Sequence, residues 1–290
     1  AVPLFEQTLA DRVRVLGADH PDTLYSRDNL ARAYQAAGDL GRAVPLFEQT
    51  LTASERVLGA DHPDTLYCRR GLAEAYRVAG DLERAVPMLE QTLADQTRVL
   101  GEDHPNTLYC RSGLAEAYWA AGDLERAAPM FEQTLAGFER VLGADHPDTL
   151  TSRSNLALAY KKAGDLGRAV PMLEQTLADR VRELGEDHPN TLYCRSELAE
   201  AYRAAGDPER AVPMLKQTLA DQVRVLGADH PDTLYSRDNL ASVYRDAGDP
   251  ARAIPLFEQA VADRVRVLGE DHPDTLYCRS ELARAYREAG

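Results

Sequence analysis

The chain has 290 residues, is 44% hydrophobic and 28% charged, and carries a net charge of −14. This balance fits a folded chain and argues against broad nucleic-acid or anionic-membrane surfaces, both of which need a basic face. No run of about 18 apolar residues occurs, so no transmembrane helix is predicted, and no secretory signal is visible at the start.

In chain order, Ala1-Val2-Pro3-Leu4-Phe5 opens residues 1–16, which read as a helix in the middle of a repeat. A chain that starts this way is expected to be a piece of something longer. Gly17-Ala18-Asp19-His20-Pro21-Asp22-Thr23-Leu24-Tyr25 then begins the first full unit. Its counterparts start at Gly59, Gly101, Gly143, Gly185, Gly227 and Gly269, always 42 residues apart, and hold all seven histidines. A period of that length decides the architecture.

Within the unit, Asp19-His20-Pro21 is a helix start, with a capping side chain and then proline in the first turn. Leu24, Arg27, Leu30, Ala31, Tyr34 and Ala37 follow at helical spacing, and Gly38 supplies a left-handed stop. Asp39 caps a second helix whose stripe is Ala43, Leu46, Phe47, Thr50, Leu51 and Val57, ended by Gly59. The unit is thus two antiparallel helices of roughly 17 and 19 residues. Six such units precede a final half unit at 269–290, so about fourteen helices are predicted as one array over 1–290, with no linker. Pro45 and its equivalents fall beyond the first turn if Asp39 is the cap, and would bend each second helix near Gly41; the alternative is a later helix start.

The four cysteines, Cys68, Cys110, Cys194 and Cys278, share one repeat position with Ser26, Ser152 and Ser236. Neighbouring helices pack roughly 10 Å apart, too far for a disulfide. Free thiols and a reducing, cytoplasmic location are expected.

Asn29-Leu30-Ala31, Tyr34, Gly38, Ala43, Phe47 and Leu51 resemble the tetratricopeptide repeat signature. The 42-residue unit and its Gly-x-Asp-His-Pro-x-Thr lead-in are similar to the longer repeats of kinesin light chains and of bacterial regulators with a nucleotide-switch domain upstream. The resemblance implies an all-α, tetratricopeptide-type α-solenoid, a right-handed superhelix of antiparallel helices. Arg27, Arg69, Arg111, Arg153, Arg195, Arg237 and Arg279 stand where that family usually places a large apolar residue, and Thr50 replaces the expected alanine. An arginine inside an apolar stripe packs its stem and seeks a carboxylate or carbonyl. A structural ladder is expected, and Arg153→Met is expected to cost little or to stabilise.

Histidines one repeat apart are too distant to share a zinc ion, whose ligands lie within about 4 Å of one another. They are expected to be structural turns, with no metal and no cofactor. Neither a phosphate loop nor a singular Cys–His or Ser–His–Asp grouping occurs, so a non-enzyme is expected.

The resemblance implies that first helices line a concave groove that binds a peptide or partner segment. Asn29, Arg32, Gln35, Ala36 and their equivalents would face it. The groove asparagine persists as Asn29, Asn155 and Asn239, with Gly71, Gly113, Glu197 and Glu281 elsewhere. The Gln35 position also holds Arg77, Arg203, Arg245 and the single tryptophan, Trp119. Leu158, Lys161, Lys162, Thr151 and Gly137-Phe138 are further exceptions, clustered in the third and fourth units. A tryptophan near two lysines has the composition of a hot spot, suited to a peptide with acidic and apolar groups. A scaffold function is expected, with a sensor or autoinhibitory arm of a larger STAND-type nucleotide-switch regulator as the alternative. The unpaired half units at the two ends also predict head-to-tail association between copies.

Overall fold

The computed structural model describes residues 2–290; Ala1, expected in the opening helix, lies outside them. Among the described residues there are fourteen α-helices and no strand. The first helices are α2 (Pro21–Ala36), α4 (Pro63–Val78), α6 (Pro105–Ala120), α8 (Pro147–Lys162), α10 (Pro189–Ala204), α12 (Pro231–Asp246) and α14 (Pro273–Ala289). The second helices are α1 (Val2–Leu16), α3 (Leu40–Val57), α5 (Leu82–Leu100), α7 (Leu124–Leu142), α9 (Leu166–Leu184), α11 (Pro208–Val225) and α13 (Pro250–Leu268). The chain forms two compact units, residues 1–152 and 153–290. In the first, α1 to α7 each pack on the next, and α2, α4 and α6 also touch in sequence. In the second, α9 to α14 do the same, and α10 touches α12.

Each boundary has a chemical cause. His20 is the residue that caps α2: its Nδ1 accepts from the Asp22 N–H at 3.2 Å, and proline follows in the first turn. His62, His104, His188, His230 and His272 repeat this geometry. The imidazoles are therefore helix caps, a role more usual for Ser, Thr, Asp or Asn. At the other end Gly38 takes φ +78, the Asp39 N–H reaches the Tyr34 carbonyl at 2.9 Å, and the Gly38 N–H reaches that of Gln35. This is a Schellman closure. Asp39 then caps α3 by accepting from the Arg42 N–H at 3.1 Å. Gly101 ends α5 at φ 93, ψ 161, a region open only to glycine.

Pro45 lies inside α3, which starts at Leu40, so the late-start alternative fails. The interior is built from Leu24, Leu30, Ala31 and Tyr34 of the first helices and Ala43 and Phe47 of the second, with equivalents in later units. Ala37 and Val57, expected in the stripe, are exposed: Ala37 is already the C-cap, and Val57 is the last residue of α3, 38% exposed. Thr50 is buried, but its hydroxyl donates to the Leu46 carbonyl at 2.6 Å, so an alanine is not required there. The four cysteines are free and buried; burial pushes the Cys194 thiol up to about 11.

The arginine ladder is present. Arg69 meets Asp95 at 2.8 Å, Arg153 meets Asp179 at 2.6 Å, Arg195 meets Asp221 at 3.0 Å, and Arg237 meets Asp263. Arg27, Arg69 and Arg195 also donate to the carbonyls of Ala18, Ala60 and Glu186 in the preceding turn. Arg27, Arg69 and Arg195 thus tie a first helix to its own lead-in, and Arg69, Arg153, Arg195 and Arg237 tie one to the second helix that follows.

Candidate functional site

The face built by the first helices differs between units. In the first compact unit, Arg32 on α2 donates to Asp28 at 2.7 Å and to the Tyr67 carbonyl at 3.2 Å. Its guanidinium lies 4.1 Å from the Tyr67 ring centroid. Gly71 makes that position possible: a Cβ there would lie 2.7 Å from Arg32 Nη2 and 2.8 Å from Phe47. The loss of the groove asparagine at Gly71 thus has a packing cause.

Arg70 on α4 extends the alternation. Its guanidinium lies 5.2 Å from the Tyr67 centroid and 5.8 Å from that of Tyr109 on α6. Its Nε is buried with no hydrogen-bond acceptor, and it forms no ion pair among the described residues. Burial, and then the like charge of Arg32, push its pKa down. Tyr109 donates to Asp148; burial and that carboxylate push it up to about 12. The result is a cation–aromatic ladder of Arg32, Tyr67, Arg70 and Tyr109. Sequence reasoning passed over Arg70. Its signal was there, since the equivalent position holds Asp28, Ser112, Ser154, Ser196, Asp238 or Ser280.

The predicted groove residues lie on the expected helices, but most of their charges are already matched. Arg77 pairs with Glu74 on its own helix and with Glu116 on α6 at 3.1 Å. Lys161 meets Glu197 at 2.6 Å, Arg203 meets Asp246 at 2.6 Å, and Arg245 meets both Asp246 and Glu281. In each case a cation on one first helix takes a carboxylate from the next. Trp119 is half-buried on α6 in the first compact unit, whereas Leu158, Lys161 and Lys162 lie on α8 in the second. Asn29 and Asn155 are half-buried. Asn239 is 8% exposed, and its Nδ2 has no acceptor. Gly137 and Phe138 are core residues: Phe138 is buried against Tyr109, with ring centroids 5.3 Å apart.

Hollows of about 430 and 410 Å³ recur at equivalent places, around Tyr76, Pro87 and Met88 and around Tyr202, Pro213 and Met214. They are products of the period. Among the described residues no group of three or more His, Cys, Asp and Glu gathers as a metal would require, and no helix is long and apolar enough to cross a membrane.

Profiles described as tetratricopeptide repeat match residues 1–22, 23–64, 72–140, 149–190, 191–232 and 233–274. No curated protein matches. A Podosopora anserina kinesin light chain protein with nearly identical TPR-like repeats is 36% identical, with a TM-score of 0.61 over 71% of this chain and 98% of that one. BtubC (BKLC) from P. vanneervenii is 22% identical, with a TM-score of 0.65 over 81% of this chain and 94% of that one. A STAND signal transduction ATPase with a tetratricopeptide repeat sensor, from Pyrococcus horikoshii, is 15% identical, with a TM-score of 0.64 over 99% of this chain and 42% of that one; it shares the fold. With matches spanning most of its length and hairpins stacked in order within each compact unit, the chain belongs to the tetratricopeptide repeat family, in the long-unit form similar to kinesin light chains.

Proposed function

We propose that this chain is a non-catalytic protein-interaction scaffold whose first-helix face takes an extended peptide or partner segment. The observation that supports it best is Arg70, a largely desolvated cation with an unsatisfied Nε, set between two tyrosines and in no ion pair among the described residues, with Glu74 acting on it only at longer range. A buried donor without an acceptor costs about 1–3 kcal/mol, and an acidic side chain from a partner would relieve it. Asn239, with its unmatched amide N–H, is a second donor on an equivalent helix. A randomised peptide display library panned on the chain should enrich acidic residues next to apolar ones. Arg70→Glu and Trp119→Ala should each reduce capture of the enriched peptides by about tenfold or more, a loss of about 1.4 kcal/mol. Unselective enrichment, or peptides held equally by both variants, would refute the proposal.

The fold likeness to a STAND protein supports a second reading, in which the repeats serve as a sensor arm. A phosphate-loop domain encoded upstream in the same open reading frame is what that reading requires. Self-association is a further possibility to test. Leu276 on α14 is 48% exposed where its equivalents Leu66 and Leu108 are fully buried, and Leu4 and Val15 on α1 are 73% and 67% exposed. Light scattering of this 290-residue polypeptide should grow with concentration, and Leu276→Asp should suppress the growth; a constant molecular mass dismisses stacking.

A further inference from the structure

A three-residue staple recurs at the edge where consecutive units join. The hydroxyl of a first-helix tyrosine donates to a glutamate on the preceding second helix: Tyr34 to Glu6 at 2.5 Å, Tyr76 to Glu48 at 2.5 Å, Tyr202 to Glu174 at 2.6 Å, and likewise Tyr118 to Glu90 and Tyr286 to Glu258. The following second helix lays an arginine over the ring. Arg42, Arg84, Arg126 and Arg210 lie 4.2, 4.2, 4.0 and 4.1 Å from the centroids. Arg126 and Arg210 also approach the glutamates, at 3.7 and 3.5 Å. Tyrosine, glutamate and arginine thus satisfy one another.

At Tyr244 the staple is inverted. The glutamate position holds Lys216 on α11, whose Nζ lies 5.6 Å from the Tyr244 ring. The arginine of this unit, Arg252 on α13, stands back at 5.6 Å, and its nearest carboxylate is Asp249 at 3.3 Å. Tyr244 is 5% exposed, held by the core, and its hydroxyl has no carboxylate to take. Elsewhere the capping aspartate, the arginine and the glutamate sum to one negative charge; here Asp249, Arg252 and Lys216 sum to one positive charge. Lys216 and Arg252, the latter shared with Asp249, thus flank Tyr244 from two other helices, and among the described residues none at this join supplies the carboxylate that the glutamate supplies elsewhere.

We propose that Lys216, Tyr244 and Arg252 bind a phosphate group. The guanidinium offers a fork for two oxygens, and the ammonium and phenol each donate to another. A dianion brings the local sum back to the single negative charge of the intact staples. The group could come from free phosphate or from a phosphorylated side chain of a partner; both cations stand on second helices, which the first-helix reading above does not use.

Calorimetric titration of the full chain with inorganic phosphate, with a short phosphoserine peptide, and with acetate tests this. The decisive control is Lys216→Glu, which rebuilds the staple found in other units and so should fold at least as well, with an equal or higher melting temperature. Wild type should bind phosphate, phosphoserine peptide or both, and acetate about tenfold more weakly. Lys216→Glu should weaken phosphate binding by about tenfold or more. Phosphate alone identifies a free-anion site; tighter capture of the peptide identifies a phosphorylated partner. No heat at about 10 mM phosphate, where a millimolar site would be nearly full, overturns the proposal. So does equal affinity in Lys216→Glu, or acetate binding as well as phosphate.

Discussion

At the scale of single residues, repetition provides internal controls. Asp28 and Asp238 occupy one position of the unit. Asp238 faces Arg264 at 2.6 Å. Asp28 faces Ser54 where that arginine would be, beside a cavity of about 20 Å³, room for one water. Its Oδ1 is buried without a partner. Asp28 already takes Arg32 where Asp238 has Ser242 beside it, so Ser54→Arg adds a second cation to a hollow sized for one water and should lower the melting temperature, at an overpacking cost of about 1–3 kcal/mol. An unchanged or higher melting temperature for that variant would contradict the comparison. The ladder arginine gives a second case. Arg153 and Asp179 have side chains only 11% and 5% exposed. Sequence pattern alone suggested that Arg153→Met would cost little. With the partner in view, Met leaves Asp179 buried with only Gln175 and Arg182 as donors. A loss of about 2 kcal/mol is expected. Adding Asp179→Leu should recover most of it, as measured by denaturant titration.

At the scale of elements, the helix ends were the most legible part of the sequence, because Pro, Gly and Asp act through their own backbones. That histidine itself caps was not legible: the lead-in offers Asp19 as a more usual cap, and only the 3.2 Å bond from the Asp22 N–H to Nδ1 decides it. His104→Ala should cost about 1 kcal/mol, the usual worth of an N-cap, visible as a lower melting temperature. Helix α7 shows where pattern misleads. Gly137 and Phe138 stand among the exceptions to the repeat beside the residues read as a hot spot, yet both are buried. An added Cβ at Gly137 would meet Leu108 Cδ2 at 2.4 Å. Gly137→Ala gains up to about 1 kcal/mol of helix propensity but faces an overpacking cost of about 1–3 kcal/mol, so a net loss is expected. Lys216 was equally hidden, because its meaning appears only when α11, α12 and α13 bring it beside Tyr244 and Arg252.

At the scale of the whole molecule, the same pairs repeated along the chain make pH a collective variable. Burial alone would raise Asp95, Asp179 and Asp221. Hydrogen bonds from Gln91, Gln175 and Gln217 and from the ladder arginines outweigh it and hold all three below the usual carboxylate range. Groups with depressed folded pKa values contribute stability that is present above about pH 4 and lost as pH falls through the folded values. Glu116 and Asp238 run the other way, raised first by burial, and soften that acid fall. On the alkaline side, burial and then Glu90 push Tyr118 up to about 12, and burial and then Glu174 do the same to Tyr202. A raised tyrosine contributes stability that is complete below its unfolded value of about 10 and lost as pH rises through the folded one. Melting temperatures followed by circular dichroism should thus be flat between about pH 5 and 9 and fall on both sides. Replacing Tyr118 and Tyr202 with Phe should lower the plateau, because Glu90 and Glu174 each lose a donor, and should make the alkaline limb shallower. An alkaline limb of unchanged steepness would mean that the staples do not hold these units together through the phenol proton.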